Sequence, residues 1–296
     1  MSNINLIIEE RPSNIGNFMV GRLLPFREKR MVGPFAFVDH MGPTSLSDHE
    51  NFDVPPHPHI GLSTLTYLFE GAIMHKDSLG NETEIQPGQV NWMTAGSGIV
   101  HSERTPVYLR TSNKMLHGLQ IWVALPKALE EMEPEFFHFN EDEIPHWTEN
   151  GIDFKLIAGD VFGHFSPVPV YSPLYFLELK SAKSQPVKIG KDLFGESALY
   201  ILEGGIESEG HIFGPKQLLV AKDSKLCEFV MQENSTIYIF GGEPFSEERF
   251  IYWNFVASTR ERIEEAKEKW LSQSFIPVPG ETDFVPLPEQ SRNIKN

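Results

Sequence analysis

The sequence predicts an all-β fold of two small antiparallel barrels in tandem, followed by one C-terminal α-helix. Short runs of β-branched and aromatic residues recur along most of the 296 residues, separated by turns. The 23 glycines and 22 prolines suit many tight turns and short strands rather than long helices. Only one segment, near the C-terminus, carries helical periodicity, and the length is enough for two ordinary domains.

Taken in order, Thr64-Leu65-Thr66-Tyr67-Leu68-Phe69 reads as a strand ending at Glu70-Gly71. Asp77 to Glu82 is a turn cluster between Met74-His75 and Thr83-Glu84-Ile85, and Pro87-Gly88 turns the chain into Val90-Asn91-Trp92-Met93. Gly96-Ser97-Gly98 is a sharp bend before Ile99-Val100-His101, and Leu119 to Leu125 is a strand closed by Pro126. An acidic stretch from Glu130 to Glu149 reads as an exposed connector with one strand at Phe136 to Phe139. Strand patterns resume at Phe154 to Ile157, Tyr175 to Leu179, Ala198 to Leu202, Leu218 to Val220 and Thr236 to Phe240. Glu203-Gly204-Gly205 echoes Glu70-Gly71, a weak sign of a repeat. Ser258 and Glu261 have the spacing of a capping box, Ile263, Ala266 and Trp270 share a face, and Glu265 and Lys269 can pair across one turn. These features predict a helix over Ser258 to Leu271, packed on the second barrel. The tail from Phe275 to Pro288 holds four prolines without periodicity and is expected to be extended over the surface or disordered. The expected division is a first barrel at 1–132, an acidic linker at 133–150, a second barrel with its helix at 151–272 and a tail at 273–296.

The formal net charge of −16 and pI near 5.1 oppose binding to phosphate backbones and to anionic membranes, so neither nucleic acid nor membrane is an expected partner. A protein partner remains open. The single cysteine, Cys227, excludes an internal disulfide, which suits a reducing cytosol; within Leu226 to Val230 it reads as a half-buried core residue. The first residues lack a basic region followed by an apolar run, and no stretch approaches the roughly 18 apolar residues of a membrane span. A cytoplasmic monomer is the expectation.

The chemistry concentrates in His57-Pro58-His59 and His101-Ser102-Glu103. Residues two apart on a strand point to the same side, so each motif can present two ligands to one point. Three imidazoles and a carboxylate suit a redox-active divalent ion such as iron, manganese, nickel or copper better than a closed structural zinc. Pro55, Pro56 and Pro58 stiffen the first pair, and glycines precede the second. Glu103 can ligate or act as a base. His40, His75 and His117 read as hydrogen-bonding core or rim residues, and His49, His138 and His146 as solvated. Asp39 and Asp53 are candidates to orient a ligand histidine.

Several segments together resemble the pirin family of the cupin superfamily: Asp39-His40-Met41-Gly42-Pro43, Pro56-His57-Pro58-His59-Ile60-Gly61, Thr66 to Gly71, His75 to Gly80 and Trp92 to Glu103. The resemblance continues through Gly118 to Val123 and returns at Gly241-Gly242-Glu243-Pro244. It implies a bicupin of two jelly-roll barrels with one metal in the first, held by His57, His59, His101 and Glu103. Typical cupins place a ligand glutamate shortly after the His-x-His. Ser63 and Thr64 stand there in this chain, and Glu103 fills the gap. The second half has only the separated His164 and His211 beyond the linker, so its barrel is expected to be metal-free. The implied cofactor is one divalent ion, Fe(II) first, with Mn, Ni, Cu or Zn as alternatives. The implied activity is that of a quercetin 2,3-dioxygenase, in which O₂ cleaves the central ring of quercetin or a related flavonol and carbon monoxide leaves. Glu103 would serve as the catalytic base, and the partners would be a small aromatic substrate and O₂. The competing implication is a metal-dependent, redox-sensing regulator that binds a transcription factor or a metabolic enzyme. A storage or structural cupin is the third.

Overall fold

A computed structural model describes residues 4–15, 18–189, 193–221 and 228–288. Cys227 and residues 289–296 of the tail lie outside these. Two antiparallel sandwiches stand side by side. In the first, a seven-stranded sheet runs in the order Glu135–Phe139, Val90–Thr94, Leu62–Glu70, Lys114–Ala124, Phe35–Leu46, Phe18–Leu24 and Arg11–Ile15. It faces a four-stranded sheet of Asp53–His59, Ile99–Arg104, Ile73–Asp77 and Glu82–Ile85. The second repeats the plan, with an eight-stranded sheet opposite a four-stranded one. This is the tandem all-β cupin architecture, with a single described α-helix, Arg260–Leu271.

The largest core lies between the barrels. Leu65, Tyr67, Leu119 and Ile121 of the first large sheet meet Phe176, Tyr200, Tyr238 and Phe240 of the second. The alternation of the strands explains this placement. In Leu119-Gln120-Ile121-Trp122, Leu119 and Ile121 face the partner barrel, while Gln120 and Trp122 line the interior of the first. Burial on both faces gives these strands their nearly unbroken hydrophobic reading. A polar network also crosses the boundary. His40 Nδ1 lies 2.6 Å from Glu10 Oε1, the Tyr200 hydroxyl donates to the same oxygen at 2.5 Å, and the Nε2 atoms of His40 and His117 are 2.8 Å apart.

Both ends of the chain cross between barrels. The first strand, Ile4–Glu9, pairs with Gln217–Ala221 and so belongs to the second barrel's sheet. The linker is structured: Glu135–Phe139 joins the first barrel and His146–Glu149 the second. The helix was expected on the second barrel. It packs on the first instead: Ile263, Ala266 and Trp270 share a buried cluster with Ile60 and Val100, on the ligand-bearing side of that barrel. The hairpin of Phe250–Tyr252 and Phe255–Ala257 leads it there, with Val256 N–H donating to the Ile60 carbonyl at 3.2 Å. The cap also differs. Thr259 is the N-cap, its hydroxyl accepting from Arg262 N–H, whereas the N–H and hydroxyl of Ser258 both bond Glu130, at 2.8 and 2.7 Å. The helix ion pair is Lys267 with Glu264, and Lys269 lies over the Phe275 ring instead. The tail to Pro288 is extended along the surface of the first barrel, anchored by the buried Val278. Among the described residues no helix is long and apolar enough to cross a membrane.

Candidate metal centre

Strands Asp53–His59 and Ile99–Arg104 are antiparallel neighbours, and their register sets His101 directly opposite His57. His59 follows on the same face two residues along. The three rings converge, with centroids 5.1 Å apart for His57 and His59, 4.3 Å for His57 and His101, and 5.0 Å for His59 and His101. One ligand nitrogen from each lies within 4.8 Å of the others, and all three residues are buried.

Outer contacts fix which nitrogen faces inward. His57 Nδ1–H donates to the Pro55 carbonyl at 2.9 Å, and His59 Nδ1–H to the Asn254 carbonyl at 3.2 Å. His101 Nδ1 lies 3.4 Å from His75 Nδ1, and His75 Nε2 lies 3.0 Å from Asp77 Oδ2. Burial alone would raise the Asp77 pKa, but hydrogen bonds from His75 and Asn81 outweigh it and hold the group below its ordinary value. An ionised carboxylate only accepts, so a neutral His75 carries its proton on Nε2 and offers Nδ1 as the acceptor. His101 therefore donates from Nδ1. Each of the three candidate imidazoles thus keeps its inward-facing lone pair, on Nε2, free for a metal.

The energetics agree. Burial pushes the His57 pKa down to about 4 and lowers those of His59 and His101 well below the ordinary value, with neighbouring imidazoles adding to the effect. All three are thus neutral at physiological pH, the state in which an imidazole can ligate a metal. His101 Nε2 is buried with no hydrogen-bond partner. Such an orphaned acceptor is costly unless something electrophilic meets it, so the residues present fit a bound cation.

Glu103 stands apart from this group: its carboxylate is not within the 4.8 Å set. The register accounts for the offset. His101 opposes His57 but Glu103 opposes Val54, so the extra residue falls at Pro55-Pro56 on the partner strand. Glu103 still lines the same cavity, buried, with the Thr66 hydroxyl 3.1 Å from its Oε1. Burial raises its pKa, with His75 and Thr66 partly offsetting the effect.

The expected orienting carboxylates do other work. Asp39 holds Arg22 through two bonds of 2.9 and 2.8 Å, and Asp53 holds Arg110 through two of 2.8 Å. Neither bonds a ligand histidine; that role belongs to Asp77 acting through His75. The His-x-Asp spacing of residues 75 and 77 was the available signal. His40 and His117 are structural, as expected, while His138 is half-buried and bonded to Asn91 rather than solvated.

The centre opens into a cavity of about 300 Å³ walled by Phe37, Phe52, Trp122, Trp253 and Val285, with Arg22, Gln120 and Glu103 as polar points. Phe37 and Trp122 stack at 4.0 Å, Arg22 lies 4.5 Å over Phe37, and the Trp122 edge meets His59. A larger recess of about 980 Å³ opens in the second barrel around Trp147 and His164. It is remote from the three histidines, which are the only metal-ligand group found among the described residues.

Residues 17–123 match the Pirin family and residues 177–276 the Pirin C-terminal cupin domain. The chain is 45% identical over 290 residues to a pirin-like protein of Caulobacter vibrioides, covering 97% of this chain and 100% of that one. This chain belongs to the pirin family. Human pirin is 32% identical over 223 residues, with 72% of this pirin and 74% of the human protein covered. Among solved structures, a quercetin 2,3-dioxygenase from Acinetobacter baumannii superposes with a TM-score of 0.88 at 33% identity, covering 98% of this pirin and 97% of that chain. The pirin fold thus presents a histidine cluster able to bind a metal at the inner end of an aromatic cavity.

Proposed function

We propose that this pirin is a metal-dependent dioxygenase that opens the central ring of quercetin, or of a related aromatic enol, with O₂ and releases carbon monoxide. The observation that carries the reading is the orphaned His101 Nε2, aimed with two like-oriented imidazoles at a cavity walled by flat aromatic rings. The likeness to the Acinetobacter quercetin 2,3-dioxygenase supports it. His57, His59 and His101 would hold the ion, with Glu103 as a further ligand or as the base. A divalent ion bound there, Fe(II) first, with Mn, Ni, Cu or Zn as alternatives, supplies Lewis acidity toward a substrate oxygen and access to O₂ chemistry.

The protein's own residues do the rest. Phe37 and Trp122 offer a stacked wall against which a flat ring system lies. Arg22 uses Nε and Nη2 on Asp39, which leaves Nη1 to meet an oxygen that becomes anionic. Glu103, with its pKa raised, is suited to take the enol proton, and Thr66 holds its Oε1 in place. At about 300 Å³ the cavity lies at the small end of ligand sites, so one flat molecule fills it and excludes water.

The test is oxygen uptake with quercetin on protein stripped and reloaded separately with Fe(II), Mn(II), Ni(II) and Cu(II). Uptake that depends on the ion and disappears in His101→Ala is the expected result. Stoichiometric metal without uptake on any ion would overturn the enzyme reading in favour of a redox-responsive partner of another protein.

A further inference from the structure

On the ligand strand Ile99–Arg104, His101 and Glu103 line the cavity and the alternate residues Ser102 and Arg104 face away. What covers that outer face is the chain's own tail. Glu281 Oε1 accepts from the Ser102 hydroxyl and from Arg104 Nε, both at 3.2 Å. Arg104 Nη2 donates to Glu281 Oε2 at 2.6 Å and to Asp283 at 2.7 Å. Two residues on, Val285 N–H donates to the Pro56 carbonyl at 2.9 Å, on the other ligand strand and next to His57. The Val285 carbonyl accepts from the Trp270 indole N–H at 3.0 Å. The tail thus touches both ligand strands, and Val285 itself forms part of the cavity wall.

This segment lies outside the sheets, and beyond the apolar anchor at Val278 these bonds, with the packing of Phe284 on Trp270, position the stretch around Val285. Arg104 is three-quarters buried and Glu281 more so, which keeps their ion pair from being fully screened. A wall fixed at both ends and placed beside His57 limits the width of whatever reaches the histidines.

We propose that Val285 is a specificity-determining residue of the metal cavity, held in place by the latch of Arg104 with Glu281 and Asp283. It sets how wide an aromatic enol can be and still reach the three-histidine centre. The proposal rests on the reading of that centre as a metal site for such substrates. It also gives the tail a functional reason to return to the barrel opposite the one that precedes it in sequence.

The experiment uses the full chain, metal-loaded with metal content measured, under nitrogen so that binding is seen without turnover. Two probes are titrated: quercetin, and 3-hydroxychromone, which has the same enol but no pendant phenyl ring. Val285→Trp should weaken quercetin about tenfold or more while leaving 3-hydroxychromone within about twofold. Val285→Ala should bind quercetin at least as well as wild type. The double variant Glu281→Ala/Asp283→Ala, with the wall released, should bind the two probes with a ratio shifted toward the wider one and unchanged metal content. Equal loss of both probes in a fully metallated Val285→Trp protein would overturn the proposal, because it would make the tail a brace and not a selector. Unchanged binding of both would do the same. Wild-type protein that holds metal but binds neither probe would instead overturn the substrate reading beneath it, and wild-type protein that holds no ion would overturn the metal reading.

Discussion

His75 is not in the metal-ligand set, yet its ring orientation decides the tautomer of His101. Asp77→Asn tests this with almost no change of shape. The amide can donate to His75 Nε2, which moves the His75 proton to Nδ1 and forces the His101 proton onto Nε2, the wrong nitrogen for a metal. Metal affinity should fall about 10- to 100-fold in chelator competition. His75→Ala should lose less, since it removes the acceptor without imposing the wrong tautomer; equal affinity in all three proteins would refute the relay. The three histidines were legible in the sequence because spacing by two on a strand dictates a shared face. The offset of Glu103 was not, because it depends on a register shift at Pro55-Pro56 that only pairing with the second strand reveals. Asp77 was missed because it acts through another side chain.

At the level of elements, the C-terminal helix shows how a local pattern can mislead. Ser258-x-x-Glu261 has the capping-box spacing, but the Ser258 hydroxyl is committed to Glu130, which is distant in sequence and buried. Thr259→Ala should cost about 1 kcal/mol of unfolding free energy, the usual worth of an N-cap. Ser258→Ala should cost roughly 1–3 kcal/mol, because it strips a donor from a buried carboxylate. Urea titration of the two variants tests the order, and a neutral Ser258→Ala would show that Arg262 and the residue 258 backbone N–H together satisfy Glu130. The strands were easier to read: most runs seen in the sequence coincide with observed strands, since alternation survives any arrangement of the sheet. Which barrel the helix would cover was not legible, because an amphipathic face records only that it needs a partner.

For the whole molecule, the exchange of ends and the shared core make the two barrels one cooperative body. Calorimetry of the intact chain should show one unfolding transition, and a 1–132 fragment should fail to fold, since it leaves Leu65, Tyr67, Leu119 and Ile121 uncovered. Two well-separated transitions would contradict this. Acid should also destabilise the metal-free protein. Burial depresses His57 and His117 from 6.5 to about 4, with His40 adding to the effect at His117. The unfolded chain therefore binds more protons between these values, and stability falls as pH drops from 6.5 toward 4. Melting temperature followed against pH should decline across that window, and a flat profile would mean these imidazoles titrate in the fold as they do in the unfolded chain. The tandem barrels were legible from composition and turn spacing. The crossing of both termini was not, because strand pairing at such sequence separation leaves no local mark.

The Nδ1 proton of His59 is held by the Asn254 carbonyl, 195 residues further along the chain. A ribosome that has released only the first barrel has already made all three histidines. It has not made the carbonyl that sets the second of them, nor the tail that closes the cavity. The three-histidine site is therefore finished among the last parts of the molecule, and any ion it takes meets the full set of outer contacts only once synthesis has passed Asn254.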